Sequence, residues 1–252
     1  MEFATYKSDV WGREVIRGVS WDLLWLVVVA AFLIIAGHAI YEAAQKRGDK
    51  PSSDGARVTR HEMIDRVSHW LMAASMIALL ITGIFPIIGI EFAWLELHWI
   101  AGILLTVIVV LHILRSILAK KLADMWISGG DLKEPFEESQ KPGKYSLAQK
   151  SMHASVTVLT ALVIVSGILM FMVIDSPWWG RSNLLTEASL GWVFLIHGLS
   201  TLALVGVICM HIYFALRPEK LFYTRSMIKG WISKEELDAN HDTERWTPDE
   251  TS

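Results

Sequence analysis

Five stretches of this chain are each long and apolar enough to cross a bilayer, and that constrains everything else. A spanning helix needs about 20 mostly apolar residues. The stretches at about 21–44, 67–90, 96–119, 152–175 and 190–216 qualify. The expected fold is therefore an all-α integral membrane protein with five transmembrane helices. The first stretch is too long for a removed signal peptide and has no small-residue cleavage site. Ahead of it, residues 1–20 form an external segment, and "SDVWGREVIRGVSWDLLW" reads as a short amphipathic helix lying in the interface.

Lys and Arg set the orientation. The loop before the second stretch holds Lys46, Arg47, Lys50, Arg57, Arg60 and Arg66. The region after the third holds Arg115, Lys120, Lys121, Lys133, Lys141, Lys144 and Lys150, and the tail adds Arg217, Lys220, Arg225 and Lys229. The connection at 91–95 has no cation, and that at 176–189 has only Arg181. The two cation-rich loops, before the second stretch and after the third, and the C-terminus are expected in the cytoplasm and the N-terminus outside, with Lys7, Arg13 and Arg17 weighing against the latter. Trp178 and Trp179 read as belt residues, and the tail at 217–252 as polar and poorly ordered. A net charge of −3 suggests no nucleic-acid partner. The one cysteine, Cys209, excludes a disulfide framework, a Cys-rich zinc site, an iron–sulfur cluster and a CxxCH haem attachment within this chain.

Seven of nine histidines fall in or at the ends of the apolar stretches: His38, His69, His98, His112, His153, His197 and His211. His61 and His241 fall in loops and read as solvated. An ionisable side chain inside a membrane is costly and usually functional. His197 and His211 are fourteen residues apart, as are His98 and His112. Fourteen residues are about 21 Å and nearly four turns, so both members of each pair face one way near opposite leaflets. His69 precedes "TG" at Thr82–Gly83, and His153 precedes "SG" at Ser166–Gly167, again fourteen residues to each glycine. The chain thus carries a weak repeat of one helical hairpin. A compact metal site would gather ligands at one depth. Histidines at two depths fit two haems stacked across a four-helix core, with Gly102, Gly198, Ser200 and Gly206 giving a flat macrocycle room. The competing readings are histidines that only hydrogen-bond neighbouring helices, a membrane anchor without haem, and a proton-coupled transporter. The last would favour mid-span acids and broken helices, which are not evident.

Four segments carry a family resemblance: "DRVSHWLMAASMIALLITGI" at 65–84, "LHWIAGILLTVIVVLHILRS" at 97–116, "GKYSLAQKSMH" at 143–153 and "LIHGLSTLALVGVICMHIYFAL" at 195–216. Together they make residues 60–216 resemble the di-haem cytochrome b (gamma) subunit of formate dehydrogenase, within a broader group that includes the cytochrome b of nickel–iron hydrogenases. The resemblance implies a four-helix core binding two b-type haems. It implies His98 and His197 as ligands of the outer haem, and His69 and His211 as ligands of the inner. His112 is a departure from that family and rivals His69, in the manner of quinol–cytochrome c reductases. His153 is a second departure, open to contact with propionates or quinone or to packing.

The resemblance also implies a quinone site in the loop before the fourth stretch. Ser146 and Ala148 stand there where the family has Asn and Gly, while Tyr145, Gln149 and Lys150 remain. Arg115 and Lys150 are candidates to pair with haem propionates, against ordinary positive-inside anchoring. The stretch at 21–44 is an addition, and His38 on it reads as packing. The implied role is an electron-transfer subunit in the bacterial or archaeal inner membrane. It would link iron–sulfur and catalytic subunits to quinone, with lipid around it. A self-contained quinone oxidoreductase of the cytochrome b561 type is the alternative.

Overall fold

The computed structural model describes residues 2–45, 53, 55–119, 121–134, 136–137 and 140–248. Lys46, Arg47, Lys50 and Lys120, counted above for orientation, lie outside the described residues. All five expected spans are helices: α1 (Leu23–Ala44), α2 (Met63–Ile84), α3 (Trp94–Leu118), α4 (Leu147–Phe171) and α5 (Glu187–Leu216). Most of their large apolar side chains stay exposed, as surfaces solvated by lipid rather than water do. α2 and α4 each start and stop four to six residues before the expected bounds. Turns from Phe85 to Gly89, around Pro86, end α2 early. A reciprocal cap starts α4 early: Ser146 Oγ accepts from Gln149 N at 3.3 Å, and Gln149 Oε1 accepts from Ser146 N at 3.0 Å.

The chain forms two compact units, each built from parts of the same helices. One comprises residues 2–37, 74–106 and 155–209. Here the expected N-terminal helix is corrected: the segment is an antiparallel hairpin of β1 (Ala4–Ser8) and β2 (Glu14–Val19), pairing Ala4 with Val19 and Ser8 with Glu14. The turn explains why. Asp9 Oδ1 accepts from Trp11 N at 2.9 Å and Arg13 N at 2.8 Å, and Gly12 takes φ +75°. That is an Asx-type turn, which outcompetes a helix. β2 lies against α5. A Cβ on Gly191 would collide with the carbonyl of Ile16, and one on Gly198 with Val19. Val19, Leu23, Leu24 and Leu202 form the core there, and Val27 stands 3.4 Å from where a Gly206 Cβ would lie. Gly198 and Gly206 therefore admit the N-terminal segment rather than a macrocycle. Trp178 and Trp179 edge an aromatic cluster with Trp99 and Phe171, and Trp178 stays exposed.

The other unit comprises residues 38–73, 107–154 and 210–248 where described. After α5 come α6 (Leu221–Lys229), β4 (Trp231–Ser233) and α7 (Lys234–Asn240). β4 pairs antiparallel with β3 (Arg57–Thr59). Gly230 at φ +93° ends α6 and turns the chain into β4. Ser233 and Glu236 cap α7 reciprocally. Val58, Phe222, Ile232 and Leu237 make a small core with Tyr223 and Trp246 packed on it. The expectation of a poorly ordered tail is thus corrected for its described residues. His241 is only 2% exposed, not solvated, and His61 is half-buried. Also in this unit, His38 Nδ1 lies 2.9 Å from the hydroxyl of Tyr213 on α5, and Glu42 pairs with Arg217 at 2.7 Å. His38 is a polar latch between α1 and α5, more than packing.

Candidate functional site

The structure pairs the histidines two by two. In the first unit, His98 of α3 and His197 of α5 have ring centroids 6.3 Å apart. In the second, His69 of α2 and His211 of α5 are also 6.3 Å apart. Metal–imidazole bonds of about 2.0–2.1 Å, plus roughly 1.1 Å from nitrogen to ring centre, put two trans imidazoles about 6.3 Å apart. Both pairs have the spacing of bis-imidazole ligation to one metal ion. Among the described residues no three His, Cys, Asp or Glu side chains gather as a metal site. Each pair therefore offers two protein ligands and leaves the remaining positions to a macrocycle, so the donor set fits haem.

The His98–His197 pair is braced on both sides. Thr82 Oγ1 lies 2.8 Å from His98 Nδ1 and 2.7 Å from the carbonyl of Ala78. Ser166 Oγ lies 2.9 Å from His197 Nδ1 and 2.6 Å from the carbonyl of Leu162. Each hydroxyl spends its proton on the carbonyl one turn back, so its oxygen accepts from Nδ1–H. That assigns the tautomer and leaves Nε2 with the lone pair a metal needs. A Cβ on Gly83 would come 3.4 Å from His98 Cε1, and one on Gly167 3.5 Å from His197 Cε1. The "TG" and "SG" of the repeat are thus the partners of the two imidazoles, one role in each hairpin. Their spacing was legible in the sequence; the bond was not.

The His69–His211 pair has no such brace: among the described residues neither ring hydrogen-bonds to protein. His69 packs edge-on to Trp70, with centroids 5.4 Å apart. His112 and His153 lie on α3 and α4 in the same unit, and among the described residues neither makes a ring pair with His211. Arg115 is held by Asp65 at 3.0 Å and by Glu62. Lys150 donates to Asp131 Oδ2 at 2.8 Å and to the carbonyl of Trp126 at 2.9 Å. Burial alone would raise the Asp131 carboxyl, but hydrogen bonds from Lys150, Ser128 and Arg245 outweigh it and hold it well below the carboxylate range. Both propionate candidates are therefore engaged by carboxylates. Gln149 caps α4, so its carbonyl oxygen is used.

Tyr145 differs. Burial pushes its phenol up to about 12, so it stays a neutral donor. Its ring lies 6.1 Å from that of His61. Burial first, then Arg60 and Lys144, push His61 down to about 3, with His69 adding to the shift. Among the described residues the Tyr145 hydroxyl makes no hydrogen bond to protein.

Residues 60–230 match the family described as prokaryotic cytochrome b561. The chain belongs to that family. It is a multi-pass inner-membrane cytochrome b, and membership implies haem b. It is 25% identical over 219 residues to the "Formate dehydrogenase, cytochrome b556 subunit" of Haemophilus influenzae, covering 79% of this chain and 85% of that one. It is 22% identical over 206 residues to the "Formate dehydrogenase, cytochrome b556(fdo) subunit" of Escherichia coli K12, covering 75% of this chain and 91% of that one. The family match begins at residue 60 and does not include the hairpin or α1.

Proposed function

We propose that this cytochrome b passes electrons through two b haems between an iron–sulfur partner subunit and the quinone pool, as the membrane subunit of a respiratory oxidoreductase of the formate dehydrogenase kind. The observation that carries the reading is the pair of 6.3 Å imidazole couples, one in each unit. When bound, the two irons each cycle by one electron. His98 and His197 would hold one, and His69 and His211 the other. Two imidazoles per iron would leave no open position, which would favour electron transfer over oxygen chemistry. Thr82 and Ser166 fix the ring orientations of their pair.

Quinone takes two electrons and two protons to form quinol, and quinol oxidation releases both. The chain's part is to bind the headgroup near the His69–His211 pair, with Tyr145 as the donor, because among the described residues its hydroxyl makes no hydrogen bond to protein. The core at 60–216 carries this machinery, with residues 1–20 and the 21–44 helix as additions. The distribution of Lys and Arg supports an outside N-terminus and a cytoplasmic tail.

Purification of the full chain in mild detergent tests the reading. Two protohaems per chain are expected, with iron–sulfur and catalytic subunits copurifying. A colourless protein after growth with ample haem would end the proposal, and a coloured one isolated with no partner would return the self-contained alternative.

A further inference from the structure

Among the described residues, no carboxylate balances the positive charge of Arg60. The residue is 3% exposed. Its Nη1 lies 3.0 Å from His241 Nε2, and its Nη2 donates to the carbonyl of Lys144 at 2.6 Å. Its guanidinium carbon lies 4.5 Å from the ring centre of Tyr223, 5.3 Å from that of Trp246 and 5.4 Å from that of Tyr145. Carbonyl, imidazole and ring faces offset the cost of burying a cation, but replacing the whole group by packed apolar residues would avoid that cost.

What the charge achieves is geometric. Four consecutive carbonyls accept hydrogen bonds: Lys141 from Arg245 at 3.1 Å, Pro142 from Asp242 N at 2.8 Å, Gly143 from His241 Nδ1 at 2.6 Å, and Lys144 from Arg60. The C-terminal strap and Arg60 thus pin the backbone up to the residue before Tyr145. The Ser146–Gln149 cap pins it immediately after. The Tyr145 ring is flanked by Arg60, His61 and Lys144, while among the described residues its hydroxyl makes no hydrogen bond to protein.

We infer that Arg60 and the strap residue His241 are positioning residues for quinone: they fix Tyr145 so that its hydroxyl is presented to a quinone carbonyl. This rests on the proposed function. The test uses the full chain in mild detergent, with haem per chain measured first and haem reduction by menadiol then followed in a stopped-flow instrument. A wild-type chain without haem, or with haem that menadiol does not reduce, defeats the proposed function and this inference with it.

Otherwise Tyr145→Phe should raise the half-saturating menadiol concentration about fivefold to tenfold, the loss of one hydrogen bond, at unchanged haem content. Arg60→Gln and His241→Gln should each raise it by roughly threefold or more. In the Tyr145→Phe background they should add less than about twofold, because they act through that hydroxyl. Either variant with full haem and unaltered half-saturation overturns the inference, and so does an effect that multiplies fully with Tyr145→Phe. If Arg60→Gln fails to accumulate, His241→Gln and Arg245→Gln decide by the same criteria.

Discussion

The two histidine pairs share a spacing and differ in everything around it. Around His98 and His197, hydroxyls from Thr82 and Ser166 settle the tautomer, and glycines stand beside both rings. Around His69 and His211 no ring hydrogen bond to protein is made among the described residues. Two further histidines, His112 and His153, share that unit, and its loop is held by the C-terminal strap. A pair meant only to hold and orient a haem gains from bracing. A pair beside an exchanging substrate gains from room and from groups that can be rearranged.

The largest expected effect separates the pairs outright. His98→Ala or His197→Ala should lower protohaem from two per chain to one, and His69→Ala or His211→Ala should remove the other, as read by pyridine haemochrome absorbance. Loss of both haems from a single substitution would show that the pairs are not independent. Next comes the brace. Thr82→Val and Ser166→Ala should weaken haem retention at the His98–His197 pair about 10–100-fold, the usual consequence of losing a partner behind a ligand. The other pair should be untouched, and loss of haem on dilution measures both.

Gly191→Ala should cost about 1–3 kcal/mol, because its new methyl meets the Ile16 carbonyl and displaces the hairpin. Thermal release of haem from the His98–His197 pair reports it, and an unchanged midpoint would mean that the hairpin contributes nothing to that unit.

A smaller effect is set by pH in the other unit. Burial first, then Arg60, lowers His241 from 6.5 to about 4. The unfolded imidazole therefore takes up a proton before the folded one does. Its contribution to the strap is fully present above about 6.5 and is lost as pH falls toward about 4. Hydrogen exchange of residues 238–246 should quicken across that window, and equal protection at pH 7.5 and pH 5 would contradict it. The smallest effect is a negative one: His112→Leu and His153→Leu should leave two haems per chain. If His112→Leu loses a haem that His69→Ala keeps, His112 is the ligand.

The spans were legible because twenty apolar residues in a row have few other fates. The histidines were legible because an imidazole in such a run needs a reason. The hairpin was not. Val15, Ile16 and Val19 suit an amphipathic helix as well as a strand, and the choice was made by Asp9 and Gly12 closing a turn and by Gly191 letting the strand approach α5. The "SKEE" at 233–236 and the "SLAQ" at 146–149 were readable caps, yet a cap marks only where a helix begins. The strap at 241–245 was not legible because its residues are polar, and polar residues late in a chain have the pattern of solvated ones unless they meet buried partners.

Sequence alone determined that this chain lives in a membrane, crosses it five times and brings histidines in fourteen-residue steps, since length, hydropathy and helical rise are local properties. Only the tertiary structure decided that His69 rather than His112 stands opposite His211, that Thr82 and Ser166 lie behind the other two imidazoles, and that residues 241–245 clasp the backbone at 141–144. Those are contacts between residues tens to more than a hundred positions apart, and no local pattern encodes which pair of faces will meet.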